Sequence, residues 1–142
     1  MIRESDAAYI AGLFDGEGSI DFTKRKEKKR SGTYDCRRVS MEISMTDESV
    51  LIWVHEVLGV GTLTKKPRKG KRKDGTKYLM QWRWRCTYRD AYNVCCLLWP
   101  YAHTKLDKIQ EIITHYSEQK LKKGADVVNI DEYKMRKEMM FE

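Results

Sequence analysis

From Ala8 to Ser19 the chain reads AYIAGLFDGEGS, with two acids near its end, Asp15 and Glu17, the second set between glycines. A carboxylate at the C-terminal end of a helix meets the negative end of the macrodipole and is unfavourable there unless a cation joins it. The flanking glycines leave Glu17 uncovered, and an uncovered carboxylate is the hard oxygen donor that Mg²⁺ or Ca²⁺ requires. The plainer alternative is a solvent-exposed turn acid. Upstream, Ala8, Gly12 and Gly16 recur every four residues, so one helical stripe is almost bare of side chains. Such a stripe lets a second helix approach nearly backbone to backbone. Two copies meeting across a two-fold axis would set two Glu17 carboxylates together, where only cations relieve their repulsion.

The rest of the chain is basic. Its 28 Lys and Arg against 21 Asp and Glu give a net charge of +7, which a dimer doubles. An excess of this sign favours a polyanion, because each cation docked on a phosphate releases a condensed counterion. Fourteen of the 28 cations fall in two stretches, six in Lys24–Arg30 and eight in Lys65–Lys77. Taken singly, each stretch is a solvated loop. Taken together, they end two similar hairpins and flank further arginines, which is the pattern of a nucleic-acid surface.

The elements that position these groups follow from periodicity. A first helix is predicted over Ser5–Asp15, with Ser5 or Asp6 as its N-cap and Gly16–Gly18 ending it. From Ser19 the period becomes two, with Ile20 and Phe22 opposite Ser19, Asp21 and Thr23; KRKEKKR with Ser31–Gly32 then reads as a long hairpin tip. Val39, Met41, Ile43 and Met45 alternate with Arg38, Ser40, Glu42 and Ser44 in a second strand. Thr46 and Asp47 are N-cap chemistry for a helix ending at Leu58, with Gly59 as its C′ residue. A second hairpin is predicted from Val60–Lys66, a tip at PRKGKRKDG, and Thr76–Tyr88, where Met80, Trp82, Trp84, Cys86 and Tyr88 share the inner face. Helices follow from Asp90 to Trp99, where Pro100 interrupts, and from Thr104 to Gln119, with a short last one in NIDEYKMRKEMMF.

The order α-β-β-α-β-β-α-α implies an α+β fold: one antiparallel sheet with helices packed on one face. The uncovered face then carries Asp21, Thr23, Arg25, Arg38, Ser40, Glu42, Ser44, Gln81, Arg83 and Arg85, side chains that can hydrogen-bond base edges. Lys28, Arg30, Arg68, Lys71 and Arg72 are the phosphate candidates of the hairpin tips.

Length and composition set the outer bounds. The 142 residues suit one domain, 1–142, with a core over about 6–120 and a C-terminal extension over 121–142. No apolar run approaches the roughly 20 residues of a membrane span. MIRESDAAYI lacks a signal peptide's apolar stretch. An intracellular protein without targeting signal, membrane partner or small-molecule substrate is expected. Cys36, Cys86, Cys95 and Cys96 form no C-x-x-C, and Cys95 with Cys96 reads as a pair of buried thiols in a reducing compartment.

IAGLFDGEGSI resembles the signature of the LAGLIDADG homing endonucleases, by identity or conservative change at nearly every position. The element order, the Leu58–Gly61 turn, and Trp99–Pro100 followed by Lys105 are similar to the same family, so the resemblance spans about residues 6–120. The motif occurs once, as in the members that work as homodimers. The resemblance implies a saddle-shaped αββαββα domain that cleaves both strands of a long, pseudo-palindromic double-stranded DNA target. It further implies Glu17 and the Gly16 carbonyl as ligands of Mg²⁺, a site Mn²⁺ or Ca²⁺ can also occupy. Lys105 is implied beside the scissile phosphate as a catalytic residue with Glu17, and a dimer interface at Ala8, Ala11, Gly12, Asp15 and Gly16. Asp15 is expected to hold the helix end or interface rather than the metal. Glu17 replaces the commoner Asp, and the family's water-organising Gln or Asn has no clear counterpart in Met45–Thr46–Asp47. Two other classes compete with a nuclease: a non-cleaving DNA binder or intron maturase, and a plain interaction module. Cleavage of a plasmid carrying the cognate site separates them.

Overall fold

The computed structural model describes residues 2–122. The C-terminal stretch in which a last helix is expected lies outside them. Eight elements follow in order: α1 (Glu4–Glu17), β1 (Gly18–Lys29), β2 (Gly32–Met45), α2 (Glu48–Leu58), β3 (Thr62–Lys66), β4 (Gln81–Thr87), α3 (Tyr88–Leu98) and α4 (Leu106–Lys122). The strands make one antiparallel sheet in the order β1-β2-β4-β3. This is the expected α+β architecture.

Strand alternation puts Val39, Met41, Ile43, Trp84 and Cys86 on one side of the sheet, and all five are buried. The helices cover that side with Ile10, Phe14, Leu51, Val54, Leu98, Ile109 and Ile112. Each fully buried large side chain of this kind contributes about 1.5–3 kcal/mol relative to exposure. Trp84 satisfies its indole N–H with the Val60 carbonyl at 3.0 Å. Gly61 sits against that indole: an added Cβ would stand 2.7 Å from Trp84 Nε1, on a backbone with φ +91°. Cys95 donates its thiol to Met41 Sδ at 3.5 Å, and burial pushes the Cys86 thiol up to about 12. Cys96, expected to be buried, is only partly so.

Helix α2 forms as its sequence demands. Asp47 accepts from the Val50 N–H at 3.4 Å as N-cap, and Gly59 closes the other end at φ 68°. Five boundaries differ from expectation. Helix α1 begins before Ser5, with Arg3 at the N-cap position and no side-chain cap, and it runs through Gly16 and Glu17. It stops because Gly18 turns extended, its N–H bonding the Phe14 carbonyl.

The basic run at 24–30 is strand rather than tip. Lys24–Lys29 pair with Gly32–Arg37, leaving a two-residue turn at Arg30–Ser31. Alternation along that ribbon divides the cations between its two faces, which a single loop could not do. Conversely, residues 76–80 do not continue β4. Pro67 lacks a ladder N–H, and Gly70 and Gly75 hold positive φ, so 67–80 is an irregular loop with one bridge between Lys71 and Lys77. Finally, Tyr88 does not point inward as the last residue of a strand. It opens α3 directly from β4 at φ 49°, and 49% of it is exposed. Among the described residues no helix is long and apolar enough to cross a membrane.

Candidate active site and nucleic-acid surface

Helix α1 has two unlike sides. Ala7, Ile10, Ala11 and Phe14 are buried in the subunit's own core. Ala11, expected at a dimer interface, is 1% exposed and therefore belongs to the opposite side of the helix. On the outward side Gly12, Gly16 and Glu17 are exposed and Ala8 is half-buried. A Cβ added at Gly12 or Gly16 would meet nothing within 4 Å. Gly18 differs: a Cβ there would strike the Phe14 ring and lie 2.6 Å from the Phe14 carbonyl oxygen. Packing among the described residues thus demands glycine at 18 but not at 12 or 16.

Asp15 faces neither the outward stripe nor Glu17's solvent. Its Oδ2 accepts the His103 N–H at 2.8 Å and its Oδ1 the Lys105 N–H at 3.0 Å. In effect α1 lends a carboxylate to satisfy free N–H groups just before α4, as an N-cap would. Asp15 therefore ties the end of α1 to the segment that opens α4. In the same contact the Lys105 ammonium donates to the Asp15 carbonyl at 3.2 Å, filling one of the open carbonyls at the end of α1. Glu17 and Lys105, far apart in sequence, thus share the end of one helix.

Gly18 pairs with Ile43, so Glu17 stands one step beyond the β1–β2 ladder, at the register position opposite Ser44. Across the sheet Ser44 faces Arg83, and Lys66 Nζ approaches Ser44 Oγ at 3.4 Å. Lys66 escaped the sequence reading as a site residue because it was counted with the loop cations. The alternation of Thr62, Thr64 and Lys66 against Leu63 and Lys65 carried the signal. Of the trio Met45–Thr46–Asp47, Met45 packs on the core and Asp47 is occupied as a cap, also accepting from Ser49 Oγ at 2.6 Å. Those bonds, the Ser49 hydroxyl first, hold the Asp47 carboxyl below its ordinary value.

The hard donors at this end are the Glu17 carboxylate and carbonyl oxygens of the same turn, including Gly16. Among the described residues no group of three or more His, Cys, Asp or Glu is placed to hold an ion. One chain thus offers oxygen ligands suited to a divalent cation but not a full set. Phosphate, solvent or a second chain must complete it.

The uncovered face of the sheet carries the expected row. Asp21 lies opposite Ser40, Thr23 opposite Arg38, Arg25 opposite Cys36, Glu42 opposite Arg85, and Lys66 opposite Gln81. Ser40 departs from expectation in one respect: flanked by Asp21 and Thr87 on its neighbouring strands, it is only 7% exposed. Lys28 lies on the opposite face of the ribbon, by alternation, and Arg30 in its turn. Arg68, Lys71 and Arg72 are exposed in the 67–80 loop, where Arg68 stacks its guanidinium 4.2 Å from the Tyr78 ring centroid.

A family model for LAGLIDADG endonucleases matches residues 10–81, just over half of the chain. Among solved structures, the homing endonuclease I-CvuI bound to the I-CreI target is similar, with a TM-score of 0.58 and 20% identity over 83% of this chain and 68% of that one. The homing endonuclease I-TnaI is matched over 98% of this chain and 99% of its own, with a TM-score of 0.53 and 16% identity. The archaeal intron-encoded homing endonuclease I-Vdi141I, complexed with DNA, gives a TM-score of 0.54 and 15% identity, covering 77% of this chain and 65% of that one. At such identities the shared property is the fold.

Proposed function

Because this chain belongs to the LAGLIDADG endonuclease family, we propose that it is an intracellular, site-specific DNA endonuclease that acts as a homodimer and hydrolyses both strands of a long pseudo-palindromic target with a divalent metal. One observation carries the reading: an exposed, side-chain-free stripe on α1 ends at an exposed Glu17, with Lys105 pinned to the same helix end. Nothing in the packing of the described residues accounts for glycine at 12 and 16. A second α1 laid against it accounts for both the stripe and the unmatched carboxylate.

In this mechanism each subunit presents one Glu17 to one strand, so two subunits are needed for two cuts. Glu17, with the Gly16 carbonyl, would hold the ion, Mg²⁺ first and Mn²⁺ or Ca²⁺ as substitutes. What such an ion supplies when bound is Lewis-acid charge on the phosphate and a water of lowered pKa. I-CvuI has been seen on DNA with 2 mM Ca, and with 2 mM Mg where the DNA is not cleaved, in keeping with a divalent cation at such a site. The Lys105 ammonium, fixed through Asp15, offsets negative charge developing on the scissile phosphate. Asp15 keeps Lys105 in place by accepting its backbone N–H. The open face of the sheet reads base edges while the ribbon and the 67–80 loop engage phosphates.

The test is cleavage of a supercoiled plasmid library of candidate sites in Mg²⁺. The wild-type chain should yield linear product, and Glu17→Gln should bind the same duplex but lose cleavage by on the order of 10²-fold or more. A Glu17→Gln protein that cuts at the wild-type rate would refute the metal assignment. A wild-type chain that binds its site but never cuts would mark a non-cleaving binder.

A further inference from the structure

On the open face the same three-part unit occurs twice. Asp21 Oδ1 accepts the Thr23 hydroxyl at 3.0 Å, and its Oδ2 faces Arg38 Nε at 3.5 Å. Glu42 Oε1 accepts the Ser19 hydroxyl at 3.3 Å, and its Oε2 faces Arg83 Nε at 3.7 Å. In both, a hydroxyl orients a carboxylate and the carboxylate meets the Nε edge of an arginine across the sheet.

Stability does not explain these units. Partly exposed ion pairs contribute about 0–1 kcal/mol, and Glu42 Oε2 and Arg83 Nε are shut off from solvent at a separation too long for a hydrogen bond. Acids on a surface that meets polyphosphate also lower its affinity. Their compensating use is orientation. A guanidinium has five N–H donors in a rigid fork, and one held at Nε still has its Nη donors to present. Since Nε of Arg83 is covered, the 32% of its side chain that remains exposed lies on its other atoms. An arginine so presented matches O6 and N7 of guanine in the major groove.

Resting on the DNA-reading role proposed above, we propose that Arg38 and Arg83 are the two guanine readers of each subunit, and that Asp21 and Glu42 are positioning residues that aim them. Asp21 and Glu42 then contact no base. Each half-site carries a guanine under Arg38 and another under Arg83, and both recur in the second half-site. Arg25 and Arg85 lie on the same face with no ion pair among the described residues, so no carboxylate aims them.

The experiment is selection of bound sequences from a randomised duplex library by the full-length chain in Ca²⁺. The wild type is compared with Arg38→Ala, Arg83→Ala, Asp21→Asn and Glu42→Gln, with thermal midpoints recorded alongside. The wild type should show two guanine positions per half-site, each preferred by about 5- to 150-fold. Arg38→Ala should erase one preference and Asp21→Asn should shrink that same preference, at unchanged thermal midpoint; Arg83→Ala and Glu42→Gln should do likewise at the other.

The proposal is overturned if the arginine variants weaken binding equally for all sequences and reduce the salt dependence by about one phosphate contact. It is equally overturned if Asp21→Asn or Glu42→Gln alters a cytosine position that the arginine variants leave untouched. Should one variant fail to fold, the other unit decides. A wild-type chain that enriches no sequence removes the DNA-reading function itself, and this inference with it.

Discussion

The two sides of α1 both carry small residues, to different ends. On the inner side Ala7, Ile10, Ala11 and Phe14 are each explained by what they touch within the subunit. On the outer side Gly12 and Gly16 touch nothing among the described residues that requires them to be small. Glycine in a helix interior costs about 0.5–1 kcal/mol against alanine, so the outer side is less stable than it need be. In the homodimer proposed above, the return for that cost is the approach of a second α1. The boundary is sharp: Gly18, two residues past Gly16, is demanded by the Phe14 ring.

The strongest way to break this comparison is Gly12→Leu. The open space around Gly12 accommodates leucine, and removing a helical glycine should raise the subunit's stability by up to about 1 kcal/mol. Sedimentation on and off DNA should nonetheless show a monomer, and double-strand cleavage should vanish. A Gly12→Leu protein that stays dimeric and cuts would show the outer stripe to be incidental. The inner side gives the opposite pattern. Phe14→Ala should lose about 3–5 kcal/mol in denaturant unfolding, a large share of a domain's total. Any loss of cleavage there should follow the folded fraction.

Which side a small residue serves was not legible from sequence. Ala8, Ala11 and Gly12 all look alike in a motif, and only the packing of α1 on β1, β2 and α3 turns Ala11 inward. What was legible is local chemistry. Asp47 and Gly59 bracket α2 because caps are set by neighbours in the chain, and the β2 alternation survives because Val39, Met41 and Ile43 are all buried on one of its faces. The hairpin extents were misjudged in both directions, since a run of lysines pairs as well as any strand once a two-residue turn aligns it, whereas Pro67 ends pairing early. Tyr88 continued the inward parity of β4, yet the chain turns there into a helix. The bonds from Asp15 to residues 103 and 105 span 88 and 90 residues, and no spacing rule reports them.

Asp15 stands between the two sides, and its replacement sharpens the division. Asp15→Ala leaves two N–H groups before α4 without their acceptor, at a cost of about 1.5–3 kcal/mol for bonds to a charged group. It also releases the constraint that keeps Lys105 at the helix end. Cleavage measured at full occupancy of the folded protein should therefore fall, while DNA affinity and dimerisation hold. If only stability falls and the rate per folded dimer is unchanged, Lys105 needs no such staple.

The smallest effect is expected at Asp47, which lies in the segment where the family's water-organising residue belongs. The Asp47 carboxylate already serves Ser49 and Val50. Asn caps a helix about as well as Asp, so Asp47→Asn should leave the cleavage rate and the neutral-pH thermal midpoint nearly unchanged. The two proteins should part only in acid. The folded-state pKa of Asp47 is lowered, so whatever stability its charge contributes is complete above the unfolded value and disappears as pH falls through the folded one. Asn does not titrate, so any wild-type advantage at neutral pH should fade below the ordinary carboxylate range. A large cleavage defect in Asp47→Asn at neutral pH, with the fold intact, would move Asp47 from the part of the molecule that the fold explains to the part that it does not.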